Sequence, residues 1–257
     1  MKFDLFHIGP LAIHGYGFMT GMGILCCLIM GMKRAKVRGM SEDAVIDIAI
    51  WSVLIGYMGA KLLYVIVEFD RFLQNPRAVL GSEGFVVYGG IITGAVTAIV
   101  YCKIKKLRFL EYFDLLVPSV ALAQGLGRIG CFLAGCCYGK PTDSFLGVIF
   151  PEGCLAPAGI RLLPTQLFSS LGNFIIMAIL LWYAKRARFT GDVGILYMIL
   201  YAVGRFGIEF LRNDNRGGFL IFTTSQWISI GILLFAILLR HILRKKTQMQ
   251  PLGASGS

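Results

Sequence analysis

Charge is scarce in this chain. Asp, Glu, Lys and Arg make up 15% of its 257 residues, against about 25% in soluble domains. Meanwhile 56% are hydrophobic and the mean hydropathy is +0.72. That composition excludes a soluble globular fold, and no polar stretch is long enough to hold a soluble domain between the apolar runs. Histidine is scarce too, with three residues. His7 and His14 lie near the N-terminus and His241 in a basic tail, so each reads as solvated or interfacial. Internal repeats and low-complexity tracts are lacking, and with them the discontinuous inverted repeats of a small transporter. No basic leader with a small-residue cleavage site marks a removable signal peptide, so the first apolar run is expected to stay in the protein.

What is present is a series of apolar runs of about 18–23 residues, each able to cross a hydrocarbon core of about 30 Å. The net charge of +11 comes in short clusters at the ends of these runs: Lys33, Arg34, Lys36 and Arg38; Lys103, Lys105, Lys106 and Arg108; Lys185, Arg186 and Arg188; Arg240, Arg244, Lys245 and Lys246. Aromatics are not interleaved with them, so they read as topology signals rather than as a nucleic-acid surface. By the positive-inside rule all four face the cytoplasm.

Hydropathy and charge together predict an all-α integral membrane protein of about seven transmembrane helices, over residues 12–32, 45–67, 86–104, 113–134, 165–184, 192–211 and 223–243. The N-terminus is then outside and the C-terminus cytoplasmic. Residues 1–248 read as a single polytopic domain and 249–257 as a disordered tail, its final Gly253-Ala254-Ser255-Gly256-Ser257 having the look of an added extension. Loops at 68–85, 135–163 and 212–222 fall on the outer side. The second of these is the longest unassigned stretch, open to reading as a functional loop or as a plain connector.

Several polar groups sit at membrane depth. Arg128 lies inside Gly127-Arg128-Ile129-Gly130-Cys131, where an arginine costs about 2.5–3.5 kcal/mol on insertion scales. Lys61 falls within the second predicted helix, Tyr88-Gly89-Gly90 opens the third, and Leu163-Pro164-Thr165-Gln166 leads into the fifth, where proline suits a first helical turn. Arg205 and Glu209 are four apart in the sixth, with Arg212 at its mouth. An intrahelical ion pair is the simple reading of Arg205 and Glu209. It leaves Lys61, Arg128 and Arg212 as surplus cations that call for an anion. The phosphate of a lipid headgroup is the anion at hand in a bilayer, and the planar arginine fork fits it. Gly89 and Gly90 would let either a headgroup or another helix approach closely, helix packing being the simpler role.

In this order the segments resemble the prolipoprotein diacylglyceryl transferases, which move a diacylglyceryl group from phosphatidylglycerol to the thiol of a lipobox cysteine in a secreted precursor. Ile13-His14-Gly15-Tyr16-Gly17 resembles the family's first-helix segment with its tyrosine, here Tyr16. Gly59-Ala60-Lys61-Leu62 stands at a Gly-Gly/Ala-Arg segment, and Val87-Tyr88-Gly89-Gly90 at His-Gly-Gly. Residues 127–139 (GRIGCFLAGCCYG) align with Gly-Arg-x-Gly-Asn-Phe-x-Asn-x-Glu-x-x-Gly, which sets Arg128 on the signature arginine and Gly139 on its last glycine. Pro164-Thr165-Gln166-Leu167 is similar to Pro-x-Gln-Leu, and Tyr201 to Arg212 (YAVGRFGIEFLR) to the late Tyr-x-x-x-Arg-Phe-x-x-Glu-Phe-x-Arg block.

The resemblance implies catalytic roles for Arg128, Arg205, Glu209, Tyr88 and Tyr16. It implies substrate-binding roles for Gly89, Gly90, Lys61, Cys131, Cys136, Gly139, Gln166 and Arg212. The implied partners are phosphatidylglycerol, a prolipoprotein lipobox and the bacterial cytoplasmic membrane, with no cofactor, no metal and no nucleic acid. The departures are concentrated. The family histidine is Tyr88 here, and the signature Asn, second Asn and Glu are Cys131, Ala134 and Cys136.

In the implied reaction a thiolate attacks the glycerol carbon bearing the phosphate ester, and glycerol 1-phosphate leaves. Arg128 and Arg205 are suited to hold the leaving phosphate. Removing a proton from a thiol of pKa about 8.5 is harder to assign. Tyr88, ordinarily near 10, is a poorer base than histidine but can still donate a hydrogen bond. Glu209 is the remaining acid expected in the core. Cys131, Cys136 and Cys137 beside Arg128 admit three readings: inert packing, a disulfide involving Cys136, Cys137 or Cys154, or catalysis and metal binding. The C-x4-C-C spacing, with no nearby histidine, disfavours a metal. Two other functions stay open: the same fold with a different acceptor, and a thiol-based redox or lipid-binding protein without transferase activity.

Overall fold

The computed structural model describes residues 4–8, 11–82, 84–213, 218–219 and 221–248. The expected disordered tail at 249–257 lies outside them. The described chain runs β1 (Asp4–Ile8), β2 (Leu11–His14), α1 (Gly15–Val37), α2 (Glu42–Val67), α3 (Phe69–Gln74), α4 (Pro76–Gly81), α5 (Val87–Ile104) and α6 (Phe109–Ala134). It continues through β3 (Val148–Ile149), β4 (Arg161–Leu162), α7 (Thr165–Tyr183), α8 (Asp192–Glu209), β5 (Gly218–Phe219), β6 (Phe222–Thr223) and α9 (Thr224–Gln248).

Seven long helices stand where hydropathy predicts them. Six are long and apolar enough to cross a membrane. The other, α8, carries Asp192, Arg205 and Glu209 within its 18 residues. Large apolar side chains such as Met58, Ile92 and Leu234 stay exposed on the helix surfaces, as a lipid solvent requires. The protein is a multi-pass membrane protein, and the four basic clusters fall in the last turns or the connections of its helices.

Three expectations change. The first helix begins at Gly15 rather than near 12, because Leu11–His14 pairs antiparallel with Asp4–Ile8. Those four residues are mostly apolar in either element, so hydropathy alone could not separate strand from helix. The 68–85 connection contains α3 and α4. The 135–163 connection is a built lobe. Gly135 (φ +72°) ends α6, β3 pairs with β4, and Phe150, Ala156 and Leu162 bury against Phe132 and Tyr138.

The chain forms two compact units, one of residues 1–30 and 113–257 and the other of residues 31–112. In the second unit α2 and α5 meet through glycines. A Cβ at Gly59 would run into the Thr93 side chain, and one at Gly89 into the Gly59 carbonyl. Thr93 Oγ1 donates to Gly89 O (2.8 Å) and to Ile55 O across the contact (3.3 Å). At the basic end of these helices Tyr101 donates to Asp47 (2.6 Å).

In the first unit α1 lies against α6 where both are small. The Gly130 Cβ position is 3.2 Å from the Tyr16 backbone, and that of Gly23 is 3.1 Å from Ala123 O. Val117, Leu180 and Val193 tie α6, α7 and α8 together. The α7–α8 connection is held by two buried acids. Asp114 accepts from the Gly191 and Gly194 amides (2.6 and 2.7 Å), and Asp192 accepts from Tyr183 Oη (2.7 Å) and Arg188 N (3.2 Å). Glu209 is therefore not the sole acid in the interior, because Asp114 and Asp192 are buried as backbone-binding groups.

Two predictions follow from these contacts. Gly59→Leu forces α2 from α5 and should lower the detergent melting temperature by about 5 °C or more; an unchanged melting curve would show that the glycine contact is dispensable. Asp114→Ala strands two buried amides and should cost about 2–5 kcal/mol, read as earlier unfolding in an SDS titration.

Candidate functional site

The charged end of α8 builds a polar cluster inside the first unit. Arg205 and Glu209 are one helical turn apart, so their side chains share a face. Arg205 Nη2 lies 2.8 Å from Glu209 Oε2, with side-chain exposures of 10% and 4%. Arg212 Nε approaches the same oxygen at 3.9 Å, and Thr223 Oγ1 donates to Oε1 at 3.1 Å. Arg205 Nη2 also donates to Ser225 Oγ (2.8 Å). The expected ion pair is thus formed and its carboxylate is shared with a second guanidinium. Arg205 Nη1 remains buried with no hydrogen-bond partner.

Arg128 comes from the last turns of α6. It is close enough to Arg205 and Arg212 for mutual repulsion, and close enough to Cys131, Cys137 and Tyr201 for attraction to their ionised forms. Among the described residues no carboxylate pairs with it. Tyr16, half-exposed at the start of α1, feels the charges of Arg128, Cys131 and Cys136.

The lobe after α6 is stitched to the end of α8. Gly139 forms a β-bridge with Arg212, Lys140 N donates to Leu211 O (2.9 Å) and Gly139 N to Leu163 O (2.9 Å). A Cβ at Gly139 would come within 2.8 Å of Leu163 O, so the residue must be glycine for these segments to touch. Gln166 Nε2 donates to Cys136 O (2.7 Å) and Thr165 Oγ1 to Cys137 O (2.8 Å). Gln166 Oε1 stays buried without a partner.

These bonds fold the chain back so that the sulfurs of Cys131, Cys136 and Cys137 all lie within 4.8 Å of one another. Cys136 N donates to Cys131 O (3.1 Å), and Cys137 adopts φ +63°, a left-handed conformation uncommon for a side-chain-bearing residue. None of the seven cysteines, all among the described residues, is in a disulfide, so the disulfide reading does not describe this structure, and Cys154 sits against Gly135 instead. Hydrogen bonds from Cys131 and Cys136, and then the Arg212 guanidinium, hold the Cys137 thiol below its ordinary range. Hydrogen bonding with Cys131 and Cys137, together with burial, pushes the Cys136 thiol up.

The remaining predicted residues lie in the second unit. Lys61 Nζ donates to Ser82 O (2.6 Å) and Gly84 O (3.3 Å) and sits 4.9 Å from the Phe85 ring centroid, so it secures the turn before α5. Tyr88 occupies the first turn of α5, and Gly89 and Gly90 face α2. Sequence reasoning missed Thr165, Tyr201, Thr223 and Ser225 as cluster members. Thr165 and Tyr201 stand inside motifs already noted, whereas a threonine and a serine at a helix start carry no distinguishing signal.

A family profile described as prolipoprotein diacylglyceryl transferase matches residues 4–242. The chain is 48% identical to a phosphatidylglycerol--prolipoprotein diacylglyceryl transferase of Clostridium tetani over 250 residues, covering 96% of this chain and 100% of the relative. It is 47% identical to the enzyme of that name numbered 2 in Clostridium perfringens, covering 96% and 97%. It is 33% identical to the Finegoldia magna enzyme, covering 94% and 95%. With its buried Arg205–Glu209–Arg212 cluster and its Gly-Arg-x-Gly segment in one unit, the chain belongs to the prolipoprotein diacylglyceryl transferase family.

Proposed function

We propose that this chain transfers the diacylglyceryl group of phosphatidylglycerol to the lipobox cysteine thiol of prolipoproteins and releases glycerol 1-phosphate. It would act as a multi-pass enzyme of the bacterial cytoplasmic membrane with its N-terminus outside. The observation that carries the reading is the cation balance of the first unit. Among its described residues Arg128 has no carboxylate partner and Arg205 keeps an open buried donor, Nη1, an arrangement suited to a phosphate diester.

Displacement at the glycerol carbon leaves an extra negative charge on the departing phosphate oxygen. Donors already aimed at that oxygen lower the barrier without reorganising. Arg128 and Arg205 are assigned this task. Glu209 positions Arg205 and Arg212, Gly139 and Gln166 hold the segment bearing the cysteines against α8, and Tyr16 lines the headgroup. Within the second unit, Lys61 would orient the turn that leads to Tyr88. The acceptor thiol must lose a proton before it attacks.

Purified protein incubated with radiolabelled phosphatidylglycerol and a lipobox peptide should label the peptide. Arg128→Ala and Arg205→Ala should each lower the rate by a factor of about 100–1,000; the melting temperature should stay near that of the parent for Arg128→Ala and fall for Arg205→Ala, which strands the buried Glu209 carboxylate. Arg205→Lys should rescue little, since an ammonium cannot reproduce the guanidinium fork. Unchanged transfer in both alanine variants would reject the assignment.

A further inference from the structure

We infer that Cys131, Cys136 and Cys137 form a three-thiolate site for a thiophilic divalent cation of the zinc class, with one coordination position left open. Spacing in the chain argues against this, because C-x4-C-C lacks the usual C-x2-C pair. The fold supplies what the spacing lacks. Gly135 at φ +72° ends α6, the Cys136 amide turns back onto Cys131 O, and the left-handed Cys137 (φ +63°) brings its sulfur alongside the other two. Their sulfurs all lie within 4.8 Å of one another. Four-coordinate zinc, with Zn–S about 2.3 Å, needs sulfurs about 3.8 Å apart, a closure that small side-chain rotations provide.

Two further features suit a metal better than inert packing. The carbonyls of Cys136 and Cys137 are clamped by Gln166 and Thr165 at 2.7 and 2.8 Å, which fixes the backbone of two ligands from outside, as supporting shells of metal sites do. Charge also balances. Three thiolates around a divalent cation carry one net negative charge, beside Arg128, which has no carboxylate partner among the described residues. Three protein ligands with an open fourth position are the arrangement of catalytic rather than structural zinc.

Resting on the transferase reading, the open position would receive the acceptor cysteine. The acceptor thiol gives its proton to solvent as its sulfur binds the cation, since a coordinated thiol is deprotonated. That sulfur attacks the glycerol carbon, the C–S bond forms, and the C–O bond breaks with its electron pair leaving on glycerol 1-phosphate. The thioether product is a poorer ligand than a thiolate and is released. The cation thereby takes over the proton removal for which Tyr88 is poorly suited.

The full chain, purified in detergent under reducing conditions and stripped with chelator, should take up about one Co²⁺ per chain with thiolate-to-cobalt charge-transfer bands. Zinc should displace it. Cys131→Ser, Cys136→Ser and Cys137→Ser should each weaken cobalt binding about tenfold or more, whereas Cys154→Ser and Cys102→Ser should not. If a serine variant fails to fold, X-ray absorption on the zinc-loaded parent decides, with three sulfurs and one lighter donor expected. No stoichiometric uptake, binding indifferent to all three substitutions, or a disulfide between two of the three in the isolated protein would overturn the site. Lipid transfer that persists undiminished in the metal-free protein would overturn the role in thiol delivery. Absence of transfer to any lipobox peptide, with the cobalt spectrum intact, would instead overturn the transferase reading and leave the site standing.

Discussion

The contact on which the first unit depends is the buried pairing of Glu209 with Arg205 and Arg212 at the end of α8. A carboxylate and two guanidiniums at 3–10% side-chain exposure cannot each stand alone at membrane depth, where an uncompensated charge costs several kcal/mol. Each therefore constrains the others. Glu209 fixes the direction of Arg205 along one helix face. Ser225 and Thr223 fix the start of α9 to the same two residues. Arg212 carries the backbone bridge to Gly139, which draws in the lobe after α6 and with it Arg128 and the cysteines. Remove the carboxylate and the loop geometry loses its anchor along with the electrostatics.

Buried acids serve opposite purposes at the two ends of α8. Asp114 and Asp192 receive backbone amides and a tyrosine hydroxyl, so their acceptor capacity is consumed by the turn they hold. Glu209 is answered by side-chain cations and by the Thr223 hydroxyl. The first arrangement is closed. The second leaves a buried guanidinium nitrogen and a buried amide oxygen, Arg205 Nη1 and Gln166 Oε1, without partners. Orphaned polar atoms at such depth call for a partner, and the carboxylate oxygens of Asp114 and Asp192 are not among them.

This difference also sets what could be read before the fold was seen. The helices were legible because runs of about 20 apolar residues punctuated by lysine and arginine leave little choice. The Arg205–Glu209 pair followed from helical spacing alone. The strand pair of Asp4–Ile8 with Leu11–His14 and the lobe at 135–163 were not legible, since short apolar stretches fit strand, helix or loop alike. Gly89 and Gly90 illustrate a subtler limit. Both roles considered for them, close approach of a headgroup and close approach of a helix, need the same missing side chain, and only the position of α2 against them decides which one the structure displays. Likewise, the burial of Asp114 and Asp192 depends on amides roughly 80 residues away in one case and on the neighbouring helix end in the other, which spacing along the chain does not reveal.

The cysteines carry this argument furthest. Sequence spacing weighs only neighbours along the chain, and on that measure Cys131, Cys136 and Cys137 resemble small apolar fillers. The fold brings them together through contacts made by other residues: a glycine that ends α6, a threonine and a glutamine at the start of α7, and a β-bridge to α8. Inert packing would need none of these constraints, because a buried thiol tolerates many rotamers and no fixed carbonyl direction. Their convergence on three sulfurs beside an arginine lacking a carboxylate partner among the described residues points to a shared negative charge held at one place. Two of those sulfurs occupy the positions where the family resemblance sets an asparagine and a glutamate. Under the proposed site, soft ligands at these positions would change the means of handling the acceptor thiol while leaving in place the arginines proposed to bind phosphate.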